Sequence, residues 1–260
     1  MLKKKSLGQH FLQAHSYISL IAGTASLREG ECVLEVGPGE GALTRELLSR
    51  GAKVTVIEKD HRLIPILKET FKKEIKAKQL TVFEGDALEM SLADIKIKGA
   101  YKVVANIPYY ITGALIKKFL SEKNPASRVV LLVQKEVAER VAREKKESIL
   151  SLSVKVYGDP KYIKTVPRGA FVPAPNVDSA VLLIENVSRK NLKDAAAEAK
   201  FFALVKTGFG QKRKLLKKNL EKLLGTNTSA LFAKAGIPEN ARAEDVSLSQ
   251  WLSLAAAKIK

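Results

Sequence analysis

The sequence predicts an α/β domain, a mostly parallel sheet with helices on both faces, followed by a small all-helical domain. Three observations carry that prediction. Short β-branched runs alternate with helix-period segments over the first two-thirds of the chain. Those runs are nearly continuous in apolar residues, as strands buried on both faces are. The alternation stops after Asn186, where Ala/Leu/Lys-rich segments take over.

Taken in order, strand-like runs fall at 32–36, 53–58, 80–84, 101–106 and 128–134, each bounded by Gly, Asp or Pro. Helical patterns lie between them at 42–49, 62–73, 112–120 and 135–143, which makes the sheet parallel through right-handed crossovers. Residues 148–157 fit either period and are assigned to helix. The runs at 162–166 and 179–185 have no helix between them, so they are expected to pair antiparallel across the loop carrying Phe171. Further helices are expected at 192–207, 212–224, 229–235 and 247–260, separated by Gly225, Gly236 and Pro238. The domain boundary is placed at residue 187, giving an α/β domain over 1–187 and a basic helical domain over 188–260.

Composition narrows the function. With 260 residues and 46% hydrophobic content the chain can bury a sizeable core. It carries 45 Lys+Arg against 27 Asp+Glu, a net charge of +18, which favours anionic partners. Residues 206–222 concentrate seven bases (Lys206, Lys212, Arg213, Lys214, Lys217, Lys218, Lys222) against Glu221. Such a field suits phosphate-rich polymers, the lesser alternative being a merely solvated helix face. Lys214, Lys217 and Lys218 are spaced i, i+3, i+4, so a helix there presents all three on one face. A single cysteine excludes a disulfide framework, and the three histidines show no metal-ligand spacing, so no metal is expected. The longest apolar runs are far shorter than a membrane span, and the basic N-terminus lacks an apolar signal core. A cytoplasmic monomer with no membrane partner is the expectation.

The chemistry gathers at strand ends. The first strand runs into Gly37-Pro38-Gly39-Glu40-Gly41 and then a helix, a turn that lets a ligand approach the backbone closely. The spacing is Gly-x-Gly-x-Gly, not the Gly-x-Gly-x-x-Gly of dinucleotide sites. Glu58 ends the second strand, where a carboxylate can accept from both hydroxyls of a ribose. Asp86 ends the third, where an acid or its neighbouring backbone can read an adenine edge. Each acid alone could be a loop or capping residue; together at adjacent strand ends they describe a nucleoside site. The fourth strand ends in Asn106-Ile107-Pro108-Tyr109. An exocyclic adenine nitrogen is a poor nucleophile because its lone pair is delocalised into the ring. Holding both its protons on acceptors localises the lone pair toward an incoming methyl. The Asn106 side-chain oxygen and a backbone carbonyl beside Pro108 supply two acceptors, and Tyr109 offers a stacking face.

These motifs together resemble the S-adenosylmethionine-dependent rRNA adenine dimethyltransferases, and most of all the bacterial small-subunit members. The resemblance extends to Leu7-Gly8-Gln9-His10-Phe11-Leu12, to the loop from Phe171 to Ser179, to Phe209-Gly210-Gln211-Lys212-Arg213-Lys214, and to Arg242-Ala243-Glu244. It implies a class I methyltransferase (Rossmann-like) fold with a helical C-terminal domain. It also implies dimethylation of N6 on two adjacent adenosines in the 3′-terminal hairpin of 16S rRNA, in ribosome biogenesis. By the same resemblance, His10 and Leu12 lie at the methionine end of S-adenosylmethionine, with Gly37 at the glycine loop, Glu58 at the ribose and Asp86 at the adenine. Asn106 lies between cofactor and target amine. Tyr109 and Phe171 sandwich the flipped adenine. Lys212, Arg213, Lys214, Lys217 and Lys218 face the RNA. Position 10 is His where many members have Asn. The related 23S rRNA enzymes of macrolide resistance share the core motifs; the basic Phe209–Lys214 stretch and Arg242-Ala243-Glu244 favour the small-subunit enzyme. A DNA adenine methyltransferase would need a target-recognition domain, and a non-catalytic assembly factor would have no need of Glu58, Asp86 and Asn106. An NAD-dependent dehydrogenase is disfavoured by the glycine spacing.

Overall fold

The computed structural model describes residues 10–257. In chain order the elements are β1 (Phe11–Leu12), α1 (His15–Thr24), β2 (Cys32–Val36), α2 (Ala42–Ser49), β3 (Lys53–Glu58), α3 (Leu63–Thr70), α4 (Lys72–Lys76), β4 (Leu80–Glu84) and β5 (Lys102–Asn106). Then come α5 (Thr112–Ser121), β6 (Arg128–Gln134), α6 (Lys135–Ala142), α7 (Ile149–Lys155), β7 (Asp159–Val166), β8 (Phe171–Val172) and β9 (Ser179–Glu185). The last helices are α8 (Ala195–Gly208), α9 (Leu216–Leu224), α10 (Thr228–Ala235) and α11 (Leu248–Ala256). The motif segment at 7–9 and the last residues of the expected 247–260 helix lie outside the described residues.

Seven strands form one sheet in the order β4-β3-β2-β5-β6-β9-β7. β4, β3, β2, β5 and β6 run parallel, and β9 returns antiparallel along β6 with Leu131 opposite Leu182. The central strands are buried almost throughout, so they read as continuous apolar runs. From β2 the chain steps outward one way to β3 and β4, then returns and steps the other way from β5. That reversal opens a crevice beyond the C-terminal ends of β2 and β5. The expected pair at the far edge, β9 and β7, are sheet neighbours. A separate two-stranded ribbon pairs β1 with β8 antiparallel, Leu12 opposite Phe171.

Some boundaries differ from expectation. The single helix expected at 62–73 is two, α3 and α4, interrupted at Phe71 (φ −112°, ψ 28°). Phe71 is buried, and its ring lies so near Gly41 that a Cβ there would stand 2.4 Å from it. Anchoring that ring under the glycine turn breaks the helix. Pro65 sits in the first turn of α3, where its missing N–H leaves no hydrogen bond unmade. The described residues divide into two compact units, 10–138 with 160–187, and 139–159 with 188–257. Residues 139–159, assigned by pattern to the α/β domain, therefore belong with the helical unit. Tyr157 accounts for this: its ring stacks on Phe202 (6.2 Å) and its backbone carbonyl accepts from Ser188 N (2.8 Å). In the second unit Trp251 is fully buried, stacked on Phe209 at 6.0 Å. Among the described residues no helix is long and apolar enough to cross a membrane.

Candidate active site

The crevice is a cleft of about 1240 Å³, its solvent-open mouth included. Its floor is the turn between β2 and α2. Gly37, Gly39 and Gly41 all adopt positive φ (68°, 59° and 86°), which an L side chain rarely tolerates. Phe11 of β1 lies over this turn; a Cβ on Gly39 would stand 2.8 Å from its ring. Gly41 ends the turn as N-cap of α2, leaving the helix start facing the cleft.

Glu58 leaves β3 with 6% exposure, and backbone N–H groups hold both of its oxygens. Gly39 N donates to Oε2 (3.1 Å) and Asp60 N to Oε1 (2.8 Å). Burial pushes this carboxyl up and the N–H donors pull it back. Each oxygen keeps a second lone pair, the capacity needed for two vicinal hydroxyls. Asp86 accepts from Lys59 Nζ (2.7 Å) and from Leu88 N (2.8 Å); the ammonium first, then the N–H, hold it below the usual carboxylate range.

Asn106 ends β5. Its Nδ2 donates to the backbone carbonyl of His10 (3.2 Å), an arrangement that assigns Oδ1 the acceptor role toward the cleft. Tyr109 is half-buried; its hydroxyl shares a 2.6 Å hydrogen bond with Ser179 of β9, and its ring stacks on His10 (6.1 Å, 20°). His10 in turn bonds through Nδ1 to Pro173 O (2.9 Å). The structure thus brings His10, Leu12, Gly37, Glu58, Asp86, Asn106 and Tyr109 to one cleft. It does not bring Phe171. That residue is 3% exposed, and its ring belongs to the core with Leu12, Ala170 and Val181. Pairing of β8 with β1 turns the ring inward, so the expected second stacking face is a packing residue here.

Sequence reasoning misses two residues of the cleft, Glu35 and Lys59, and Ser179, which bonds the cleft residue Tyr109. Glu35 of β2 is 1% exposed and accepts from Thr44 Oγ1 (2.7 Å). Burial pushes its carboxyl up to about 8, with the Thr44 hydroxyl opposing and the Glu58 charge adding to the rise. Its position two residues before Gly37 is the signal that could have found it. Lys59 and Ser179 act through partners 27 and 70 residues away, which a linear pattern does not report.

The basic residues belong to the helical unit. The helix expected from residue 212 begins at Leu216, because Leu215 is extended (φ −61°, ψ 140°) and Leu216 N bonds to Ala241 O (2.9 Å). Lys214 therefore lies in the preceding turn, and the three lysines do not share a helix face. Lys217 is committed to Glu239 at 2.5 Å. Lys212, Arg213, Lys214 and Lys218 are exposed.

Known proteins share both this sequence and this architecture. The chain is 40% identical over 258 residues to the ribosomal RNA small subunit methyltransferase A of Deinococcus radiodurans, covering 97% of this chain and 85% of that one. It is 39% identical over 256 residues to the protein of the same name from Dehalococcoides mccartyi, covering 96% and 87%. Among solved structures, the 23S rRNA methyltransferase ErmE superposes with a TM-score of 0.77 at 29% identity, over 94% of this chain and 98% of that one. A dimethyladenosine transferase from Plasmodium falciparum gives the same TM-score at 25% identity, over 94% and 96%. The ribosomal RNA adenine dimethylase family matches residues 1–260, and the chain belongs to that family.

Proposed function

We propose that this enzyme dimethylates N6 of two adjacent adenosines in the 3′-terminal hairpin of 16S rRNA within the small ribosomal subunit, using S-adenosylmethionine. The observation that carries the cofactor is the sign of the cleft. In a protein of net charge +18, the cleft wall holds Glu40, Glu58, Asp60 and Asp86 against Lys59, with Glu35 kept neutral by its burial. A cationic ligand is favoured inside and a polyanion outside. The donor set fits: paired oxygens on Glu58 for a ribose, Asp86 for an adenine, open glycine backbone for the amino-acid tail. When bound, the cofactor supplies an electrophilic sulfonium methyl.

The chain's own residues do the rest. Asn106 Oδ1 and a backbone carbonyl beside Pro108 accept the two amine protons, so the nitrogen lone pair points at the methyl. Tyr109, braced by Ser179 and His10, holds the flipped base by its face. Proximity and orientation supply the acceleration, and the proton leaves to solvent after transfer. Lys212, Arg213, Lys214 and Lys218 hold RNA phosphates; Lys217 serves its ion pair. The curated relatives named for the small subunit, at 37–40% identity, favour that substrate over 23S rRNA.

Asn106→Ala tests this mechanism. Turnover is expected to fall by about 100-fold or more, as when one transition-state hydrogen bond is removed, with RNA affinity within a few-fold of wild type. Single-turnover kinetics beside a binding titration separate the two; near-normal turnover contradicts the amine positioning.

A further inference from the structure

Tyr110 stands at the mouth of the cleft without a part in the chemistry above. It is 67% exposed, the most open large apolar side chain among the described residues. It shares one 3-10 turn, Tyr109–Ile111, with the half-buried Tyr109, and it lines the cleft. The turn itself is closed by backbone, Ile111 N to Pro108 O (3.2 Å), so the fold does not call for a ring there. Its hydroxyl makes no side-chain hydrogen bond among the described residues. Lys59, on the same rim, is paired with Asp86 at 2.7 Å, so the aromatic face and not a free charge is what the mouth offers.

An enzyme that modifies two adjacent adenosines must admit each in turn. While one is inside, the other has lost a stacking partner and waits at the mouth. An exposed aromatic face is what an unstacked base seeks. We propose that Tyr110 is the stacking platform for the base adjacent to the target adenine. The inference rests on the substrate reading under Proposed function.

2-Aminopurine gives a direct test. It lacks the 6-amino group that Asn106 would hold, so in an RNA hairpin whose loop carries adenine next to 2-aminopurine, the adenine takes the pocket and the probe stays outside. Stacking quenches its fluorescence. Wild-type protein is expected to quench the probe on binding. Tyr110→Ala should leave it bright and bind the hairpin about 5- to 100-fold more weakly; Tyr110→Trp should restore both. Calorimetry with S-adenosylmethionine should be unchanged in both variants, which shows that they are folded. On under-methylated small subunits, Tyr110→Ala should give one adenosine methylated in excess of its neighbour. Equal quenching and equal affinity in Tyr110→Ala would overturn the proposal. If wild-type protein methylated no adjacent adenosines in those subunits, the substrate reading itself would fail, a result that involves no Tyr110 variant.

Discussion

Asn106 donates Nδ2 to the His10 carbonyl, and Glu58 accepts one backbone N–H on each oxygen, so each side chain is fixed by the fold with acceptor capacity to spare. Glu58→Ala is expected to weaken S-adenosylmethionine binding by about 1.5–3 kcal/mol, because the charge-assisted hydrogen bonds to the ribose go with it. Calorimetry on the folded variant checks this, and unchanged affinity would remove Glu58 from the site. Glu35 gives a pH signature. Its folded-state carboxyl sits near 8 against an ordinary 4.5, so between those values the native state binds more protons than the unfolded one. Stability from this group is therefore greatest at low pH and falls as pH rises from about 4.5 to about 8, by an amount on the order of a few kcal/mol. Glu35→Gln should flatten that decline in urea midpoints measured across the window; an unchanged pH profile would mean that Glu35 ionises normally. Glu58, Asp86 and Asn106 are legible in the sequence because a strand end fixes where a side chain emerges. Phe171 is not, because its orientation depends on Leu12, far off in sequence. Nor is Lys217, whose partner Glu239 is 22 residues away.

At the scale of elements, the strands at 32–36, 53–58, 80–84, 128–134 and 179–185 have the bounds that their apolar runs indicate. Strands buried on both faces, as β2, β6 and β9 are, leave little freedom in where polarity begins, whereas β4 at the sheet edge is only partly buried. Helix boundaries are less legible. Phe71 splits α3 from α4 through its packing under Gly41, and α9 starts late because a backbone bond to Ala241 sets it. That late start changes the expectation for RNA binding. Replacing Lys212, Arg213, Lys214 and Lys218 by Gln should weaken small-subunit binding and reduce the log–log salt slope by roughly 0.7–0.9 for each phosphate no longer neutralised. Lys217→Gln should alter the slope least, since its charge is already balanced by Glu239. Binding titrations at several salt concentrations measure both, and a slope unchanged in the fourfold variant would make this turn a merely solvated surface. S-adenosylmethionine affinity should hold throughout.

Over the whole molecule, charge is unevenly sorted. Acids line the cleft, while residues 190–260 carry 14 Lys+Arg against 6 Asp+Glu. The alternation of strands and helices makes the α/β class legible, and the reversal between β2 and β5 places the cleft. Residues 139–159 escape a reading of the sequence because their pattern is that of any buried helix, and only distant partners, Phe202 and Ser188 for Tyr157 and Glu244 for Glu147, show where they pack. The central claim is methyl transfer to two neighbouring adenosines of one RNA. The direct measurement is to incubate the protein with methyl-labelled S-adenosylmethionine and under-methylated small subunits, then map the label by mass spectrometry of nuclease fragments. The account predicts four methyls, two on N6 of each of two adjacent adenosines near the 3′ end of 16S rRNA. Label on 23S rRNA alone, on a single adenosine, or on no RNA would contradict it.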